Sequence, residues 1–145
     1  DMGIESVAYD KGGKRDQVVE LWERVFAYKN ARNAPTLVID KKLAVDDGLF
    51  LVAVSGGDVV GSIMAGYDGH RGWIYSLAVH RKHRHERIGS QLLSCAESRL
   101  TSLGCVKINL QINDDNELVE EFYETNGYSL EKRICMGKTI TGNIE

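Results

Sequence analysis

The chain has 145 residues, of which 43% are hydrophobic and 27% are charged, and its formal net charge is −3. These values are typical of one globular domain, here residues 1–145, and the mild negative charge excludes nucleic-acid binding by bulk electrostatics. No apolar run approaches the roughly 20 residues that a membrane-crossing helix needs. The first residues also lack the basic and then apolar pattern of a signal peptide. We therefore expect a single cytoplasmic domain without a membrane or nucleic-acid partner.

Three cysteines, Cys95, Cys105 and Cys135, form no CxxC pair. An odd number of cysteines cannot all pair within one chain, and none of the three has a sequence-visible activating base. Small buried thiols in a reducing compartment are therefore favoured over a disulfide framework or covalent catalysis.

The hydrophobic pattern changes repeatedly between the period of strands and that of helices, without a linker or an internal repeat. In chain order the predicted elements are a strand at 3–9, a helix from Asp16, a helix from Pro35 to about Asp46, a hairpin around Ser55-Gly56-Gly57-Asp58, a strand at 73–79, a helix at 87–103, a strand at 105–112, a helix at 116–127 and a last strand at 129–140. Antiparallel strands followed by a strand–helix–strand unit indicate a mixed α/β fold. The chain has no GxGxxG or GxxxxGK sequence, which argues against a dinucleotide or triphosphate site.

The segment Ser76–Leu93, SLAVHRKHRHERIGSQLL, combines an apolar strand, a basic turn and the start of an amphipathic helix. The first N–H groups of a helix have no partner inside the helix, and the helix dipole makes that end partly positive. From Arg71 to Arg87 there are five Arg or Lys residues and one acid, Glu86. The turn is therefore predicted to bind phosphate groups.

Two other functions of this turn are less favoured. The histidines of HRKHRH match no zinc-ligand spacing and lie among cations that repel a metal ion, so we expect no metal site. Nucleic-acid binding through Arg71–Arg87 would be strongly salt-dependent, but the segment lacks an aromatic stripe for base stacking.

These residues resemble the GNAT superfamily of acetyl-coenzyme A-dependent N-acetyltransferases over nearly the whole chain. One match is Leu77-Ala78-Val79 followed by Arg84-His85-Glu86-Arg87-Ile88-Gly89, and the second is Asn116, Tyr123 and Gly127-Tyr128 at the family's spacing. The phrase GYDGHRGW at 66–73 is similar to a bacterial branch of small GNAT enzymes. The resemblance implies a mostly antiparallel mixed sheet of six to seven strands flanked by about four helices.

The resemblance also implies a role for each part of these motifs. The strand Leu77-Ala78-Val79 would diverge from its neighbour, so that its backbone groups pair with the pantetheine arm of acetyl-CoA. The backbone amides of the turn would hold the pyrophosphate at the helix start; these residues are Arg84, His85, Glu86, Arg87, Ile88, Gly89 and Ser90. Asn116 would contact the cofactor, and Tyr123 would protonate the departing thiolate.

The turn departs from the usual family pattern at two positions, because His85 and Arg87 stand where glycines are common. Both residues keep their N–H groups, so the number of donors is unchanged. What a side chain removes is freedom at φ and space for phosphate near the backbone. An arginine can offset this loss by binding phosphate directly.

The sequence does not single out the group that removes the proton from the acceptor amine. Relatives that acetylate ribosomal-protein N-termini have a glutamate where this chain has Gln111, which cannot accept a proton. Strand alternation places Tyr75 on the same face as Leu77, and Tyr75 is the first candidate for the base. Asp68 and His70 in the adjacent turn, or a relay of water molecules, are the alternatives.

Several residues near these motifs also have a purely structural explanation. Tyr123 and Trp22 lie on apolar helix faces, where aromatic side chains usually pack in the core. Tyr28 is the better candidate for an acceptor pocket. The acidic run around 114–121 is typical of a solvated helix start, or it could attract a cationic acceptor.

The leading functional hypothesis is transfer of acetyl from acetyl-CoA to a primary amine of a small molecule or a peptide, by direct attack in a ternary complex. The alternative is a non-catalytic CoA-binding or regulatory module. The altered turn and Gln111, which replaces a basic glutamate, are consistent with this alternative. An exposed last strand could pair with a second subunit, so a homodimer is also open.

Overall fold

In a computed structural model of the chain, the described residues are 2–7, 14–26, 34–84, 86–112 and 117–140. The elements are β1 (Met2–Ser6), α1 (Lys14–Val25), α2 (Pro35–Val45), β2 (Phe50–Ser55), β3 (Asp58–Tyr67), β4 (Gly72–Val79), a 3₁₀ turn (Arg81–His83), α3 (Ile88–Ser102), β5 (Ile108–Leu110) and α4 (Glu117–Thr125). The predicted mixed α/β class with four helices is confirmed.

The strands form one sheet in the order β1-β2-β3-β4-β5. The first four strands pair antiparallel, and β4 pairs parallel with β5. The hairpin between β2 and β3 turns at Gly56 and Gly57, whose φ angles are 60° and 85°, as the sequence predicts for a tight turn. The sheet is therefore mostly antiparallel, with its one parallel pair at the β5 edge.

Apolar side chains cover both faces of the sheet. One core joins the sheet to α3 and α4 around Leu51, Leu92 and Leu100, and the other joins it to α1 and α2 around Val52 and Trp22. Neighbouring residues of β2 thus enter opposite cores, which explains why this strand is almost continuously apolar. Trp22 is buried, as predicted, and its Nε1–H donates to Ser62 Oγ at 2.7 Å.

The prediction of a last strand at 129–140 is wrong. Among the described residues this stretch has no strand pairing, and its contacts with the β5 edge are side-chain contacts, from Lys107 to Glu131 and from Gln111 to Cys135. A strand requires a backbone ladder with a partner, and none forms here. The described sheet accordingly has five strands rather than six or seven.

The cysteines have three different environments. Cys105 is buried, as predicted, Cys95 is half-buried, and Cys135 is exposed. The prediction of burial is wrong for Cys135 because the residue belongs to the unpaired stretch after α4. No helix of the described residues is long and apolar enough to cross a membrane.

Candidate active site

The parallel pair β4 and β5 separates after a short contact. The two strands are paired only at Gly72–Ile108, Trp73–Asn109 and Ile74–Leu110. Residues 75–79 of β4 continue beyond this point and have no β5 partner among the described residues. One side of the β4 backbone is therefore open to an extended ligand where the sequence places Leu77-Ala78-Val79.

A β-bulge in β4 determines which side chains of this strand face the opening. Tyr75 pairs with Met64 and Ala78 pairs with Ser62, so β4 has one extra residue, and Ser76 has a φ of 56°. A bulge of this kind shifts the alternation of side chains by one position. Tyr75 and Ala78 consequently share the α1/α2 face, whereas Leu77 packs against the other core. The prediction that Tyr75 and Leu77 share a face is wrong for this reason.

The basic turn is ordered by short-range hydrogen bonds. His80 Nδ1 accepts a hydrogen bond from the Lys82 backbone N–H at 3.1 Å, and His83 Nδ1 lies 3.3 Å from Glu86 Oε1. Within the described ranges, no three His, Cys, Asp or Glu side chains cluster closely enough to hold a metal ion. His80 and His83 thus support the conformation of this turn.

The start of α3 combines strain with open backbone donors. Arg87 precedes the helix with φ 63° and ψ 18°, the left-handed conformation that favours glycine. No side chain of the described residues caps the helix start. A groove of about 640 Å³ begins at Arg87 and Ser90 and follows α3 to Asn126. This end of α3 has the exposed cation and the uncapped first turn that an anion requires.

Gly89 has a packing role besides its predicted contact with the cofactor. A Cβ atom at this position would lie 3.3 Å from Phe122 Cζ and 3.7 Å from Val79 Cγ2. The glycine therefore allows the first turn of α3 to approach α4 and the end of β4 closely. His85 and Asn116, which were also predicted to contact the cofactor, lie outside the described residues, as does Tyr28.

A larger cavity of about 1310 Å³ lies at the β4–β5 separation and is lined by Tyr75, Leu77 and Tyr123. The two predicted catalytic residues, Tyr75 of β4 and Tyr123 of α4, therefore line one cavity. Gln111 also lines the cavity, and its Nε2 donates to Cys135 Sγ at 2.9 Å.

Tyr123 is both a core residue and a cavity residue. Its side chain is 7% exposed, and its ring packs edge-on against Phe122 and Tyr128, with centroid separations of 5.1 and 5.6 Å. Burial raises the pKa of Tyr123 to about 12, because the charged phenolate loses its hydration. The hydroxyl has no hydrogen-bond partner among the described residues, so its neutral O–H is available to a ligand.

Tyr128 connects α4 to α3. Its hydroxyl donates to Glu97 Oε2 at 2.7 Å, and burial, followed by this carboxylate, raises the pKa of Tyr128 well above its ordinary value. Because the Tyr128 ring also contacts Tyr123, this bond helps to fix the buried tyrosine. Glu97 is not among the residues predicted from the sequence; the available signal was an acid four residues after Leu93 on the inner side of α3.

Tyr75 is 42% exposed at the mouth of the cavity. A Cβ atom at Gly66 would lie 3.2 Å from Tyr75 Oη, so the glycine makes room for the phenol. The buried ammonium group of Lys42 lies 6.0 Å from the centre of the Tyr75 ring, and it donates to Asp47 Oδ2 at 2.8 Å and to the Ala65 carbonyl at 2.5 Å. Lys42 is likewise not predicted from the sequence, because its partners are distant or lie in a loop.

The other proposed bases are less well placed. Asp68 Oδ1 accepts hydrogen bonds from the backbone N–H groups of His70 and Arg71, both at 2.7 Å. These bonds hold the pKa of Asp68 below its ordinary value and stabilise the turn. Neither Asp68 nor His70 lines the cavity.

Solved structures show where this fold occurs. AAC(6')-Iy in complex with the bisubstrate analogue CoA-S-monomethyl-acetylneamine aligns with a TM-score of 0.78, 14% identity and coverage of 97% of this chain and 99% of that one. The NatC complex bound to Gag peptide and CoA aligns with a TM-score of 0.80, 22% identity and coverage of 92% and 88%. The fold is thus one that is used by acetyltransferases.

Sequence comparison identifies the family. The model of the acetyltransferase (GNAT) family matches residues 15–128. The protein named Acetyltransferase SG1711 from Sodalis glossinidius is 43% identical over 131 residues, which cover 90% of this chain and 92% of that protein. The chain therefore belongs to the GNAT acetyltransferase family. It is an acyltransferase, and acetyl-CoA is its cosubstrate.

Proposed function

We propose that the protein transfers the acetyl group of acetyl-CoA to a primary amine of a small molecule or a peptide, by direct attack in a ternary complex. The observation that carries this proposal is the separation of β4 from β5 over a cavity lined by both Tyr75 and Tyr123. One opening can hold both substrates in line, so that much of the rate comes from positioning.

The residues along this opening suit the parts of coenzyme A. The backbone of Leu77, Ala78 and Val79 would pair with the pantetheine arm, since β4 has no β5 partner there in the described chain. The turn from Arg84 to Ser90, with His85, Glu86, Ile88 and Gly89, would hold the pyrophosphate at the uncapped start of α3. Asn116 would contact the cofactor from its position just before α4.

Tyr123 is the proposed general acid. Acyl transfer from a thioester to an amine releases a thiolate, which must gain a proton. A phenol with a pKa of about 12 stays protonated at all physiological pH values, and its hydroxyl has no competing partner within the described residues. Burial therefore keeps Tyr123 protonated before the reaction, and because a higher pKa also makes the phenol a weaker acid, its proton must move as the thiolate departs.

Tyr75 is the proposed base, acting directly or through water: its oxygen accepts the amine proton as its own O–H proton passes to solvent. It lies on the α1/α2 face of β4, opposite the face on which Leu77 packs, and it lines the same cavity as Tyr123. Amine deprotonation and thiolate protonation would then take place at different ends of one opening. The engagement of Asp68 in its turn supports Tyr75 over the adjacent alternatives.

A non-catalytic CoA-binding or regulatory module is the second candidate. It is favoured by Gln111, which lines the cavity and donates to Cys135, because a glutamine cannot replace a basic glutamate. Such a module would bind acetyl-CoA without releasing its thiol when amines are added.

The Tyr123→Phe variant tests the proposed acid. We expect kcat to fall about a hundredfold, while the dissociation constant for acetyl-CoA, measured by calorimetry, stays unchanged because the buried ring is kept. Tyr67→Phe is the matched control, since the Tyr67 hydroxyl donates to the Gly69 carbonyl outside the cavity, and its kcat should equal that of the wild type. An unchanged kcat in Tyr123→Phe contradicts the assignment.

A further inference from the structure

Lys42 places a positive charge inside the protein, close to the proposed base. Its side chain is 7% exposed, and its ammonium group donates to Asp47 and to the Ala65 carbonyl. An ammonium group has three N–H donors, of which these two acceptors use two. The same group lies over the Tyr75 ring, 6.0 Å from its centre. This distance is within the range of a cation–π attraction.

The ion pair of Lys42 and Asp47 takes the place of an ordinary bond of the sheet. The Ala65 N–H donates to the Leu49 carbonyl at 2.8 Å, and in an antiparallel ladder such a pair exchanges a second bond, from the Leu49 N–H to the Ala65 carbonyl. Here the Leu49 N–H donates to Asp47 Oδ1 at 3.0 Å instead. The carbonyl that is left accepts from Lys42. Since moving an ammonium group out of water costs free energy that the ladder bond would not, sheet pairing alone does not explain this buried cation.

Few other contacts fix the Tyr75 ring. The residue is 42% exposed, and no hydrogen bond holds its hydroxyl within the described part of the chain. The ring passes close to Gly66, where a Cβ atom would lie 3.2 Å from the hydroxyl oxygen. A half-exposed side chain has several rotamers unless a neighbour selects one. The ammonium group of Lys42 can make this selection, because its attraction depends on the orientation of the ring face.

We propose that Lys42 is a positioning residue, which holds the Tyr75 ring at the mouth of the cavity through the charge of its ammonium group. The proposal rests on the proposed function, in which Tyr75 accepts the proton of the acceptor amine. A base must lie within hydrogen-bond reach of that proton, and a small displacement of a catalytic group lowers the rate strongly. Lys42 does not line the cavity, so it acts through Tyr75 and not on the substrate.

The Lys42→Gln variant separates the charge from the hydrogen bonds. The amide group of glutamine offers two N–H donors to the two acceptors but carries no charge. Lys41→Gln is the matched control, because Lys41 is the preceding residue of α2, is exposed and loses the same charge. Circular dichroism checks that both variants fold.

Nuclear Overhauser contacts of the Tyr75 ring, measured by NMR on the full chain, report its position directly. The ring signals of Tyr75 are those that are absent from Tyr75→Phe. In the wild type we expect contacts from this ring to Gly66 and to the ε-methylene protons of Lys42. The contact with Gly66 should weaken at least twofold in Lys42→Gln and stay unchanged in Lys41→Gln.

Two results would overturn the proposal. One is a Tyr75–Gly66 contact of wild-type intensity in folded Lys42→Gln. The other is the absence of the contact between Lys42 and the Tyr75 ring in the wild type, which is measurable even if Lys42→Gln does not fold.

The Asp47→Asn variant tests whether the loop before β2 positions the ring instead of the cation. It removes the partner charge and keeps the ammonium group beside the ring, so the Tyr75–Gly66 contact should keep its wild-type intensity. Equal weakening in Asp47→Asn and Lys42→Gln would show that the conformation of the loop positions the ring, and it would overturn the proposal.

Thiol release from acetyl-CoA, measured with polyamines, aminoglycosides and peptides with free N-termini, gives the kinetic readout. We expect kcat to fall about tenfold in Lys42→Gln, the factor by which a desolvated cation–π attraction shifts a population. It should be unchanged in Lys41→Gln. KM for acetyl-CoA should stay the same, because Lys42 lines neither the groove along α3 nor the cavity.

The two readouts distinguish failure of this proposal from failure of the proposed function. A changed KM with an unchanged kcat in Lys42→Gln contradicts the positioning of the base. If the ring contact weakens as expected but no amine is acetylated, or if Tyr75→Phe keeps the wild-type kcat, the proposed function fails. The positioning of the Tyr75 ring by Lys42 then stands.

Discussion

Arg87 combines two properties that substitution can separate. Its backbone has the left-handed conformation that glycine adopts without strain, and its side chain is an exposed cation beside the groove at the start of α3. The backbone property costs stability, whereas the side chain suits a phosphate. In the proposed role of Arg87, the turn would give up part of its conformational stability for a charged contact with phosphate.

The Arg87→Gly and Arg87→Ala variants test this compromise. We expect Arg87→Gly to unfold in urea with about 0.5–1 kcal/mol more free energy than Arg87→Ala, because only glycine removes the strain. Both variants should bind acetyl-CoA about tenfold more weakly in calorimetric titration, since both lose the guanidinium group. Tighter binding by Arg87→Gly would contradict the role of the side chain.

At the scale of elements, contacts of α4 and the residues after it with α3 hold Tyr123 in place. Gly89 lets α3 approach Phe122, and Tyr128, just after α4, bonds to Glu97 of α3. The bulge at Ser76 has a similar role in β4, because it turns Tyr75 away from the face of Leu77. The positions of Tyr75 and Tyr123 therefore depend on the bulge in β4 and on the packing of α4 against α3.

The Tyr128→Phe variant tests the connection between α3 and α4. It removes a hydrogen bond to a charged carboxylate and keeps the ring against Tyr123, so we expect a loss of about 1.5–3 kcal/mol in the free energy of unfolding. Glu121→Gln, an exposed change on α4, should lie within about 0.5 kcal/mol of the wild type. Equal unfolding midpoints in urea for Tyr128→Phe and the wild type would show that the bond is not stabilising.

At the scale of the whole molecule, the sequence predicts the order of elements because periodicity and turn glycines are local signals. The bulge at Ser76 was missed because its sequence contains no glycine or proline to mark it. Lys42 and Glu97 were missed because their roles depend on contacts with distant residues, Ala65 and Tyr128. The last strand was predicted from its alternation, but strand formation also requires a partner, and none lies in the described chain.

Transfer of acetyl to an amine is the central claim, and amine-dependent release of the CoA thiol tests it most directly. The protein is incubated with acetyl-CoA and a panel of polyamines, aminoglycosides and peptides with free N-termini, and the products are identified by mass spectrometry. We predict that at least one amine raises thiol release about tenfold or more above hydrolysis and is acetylated in equal amount. Calorimetric binding of acetyl-CoA with no amine-dependent thiol release across the panel would contradict the claim and favour a non-catalytic module.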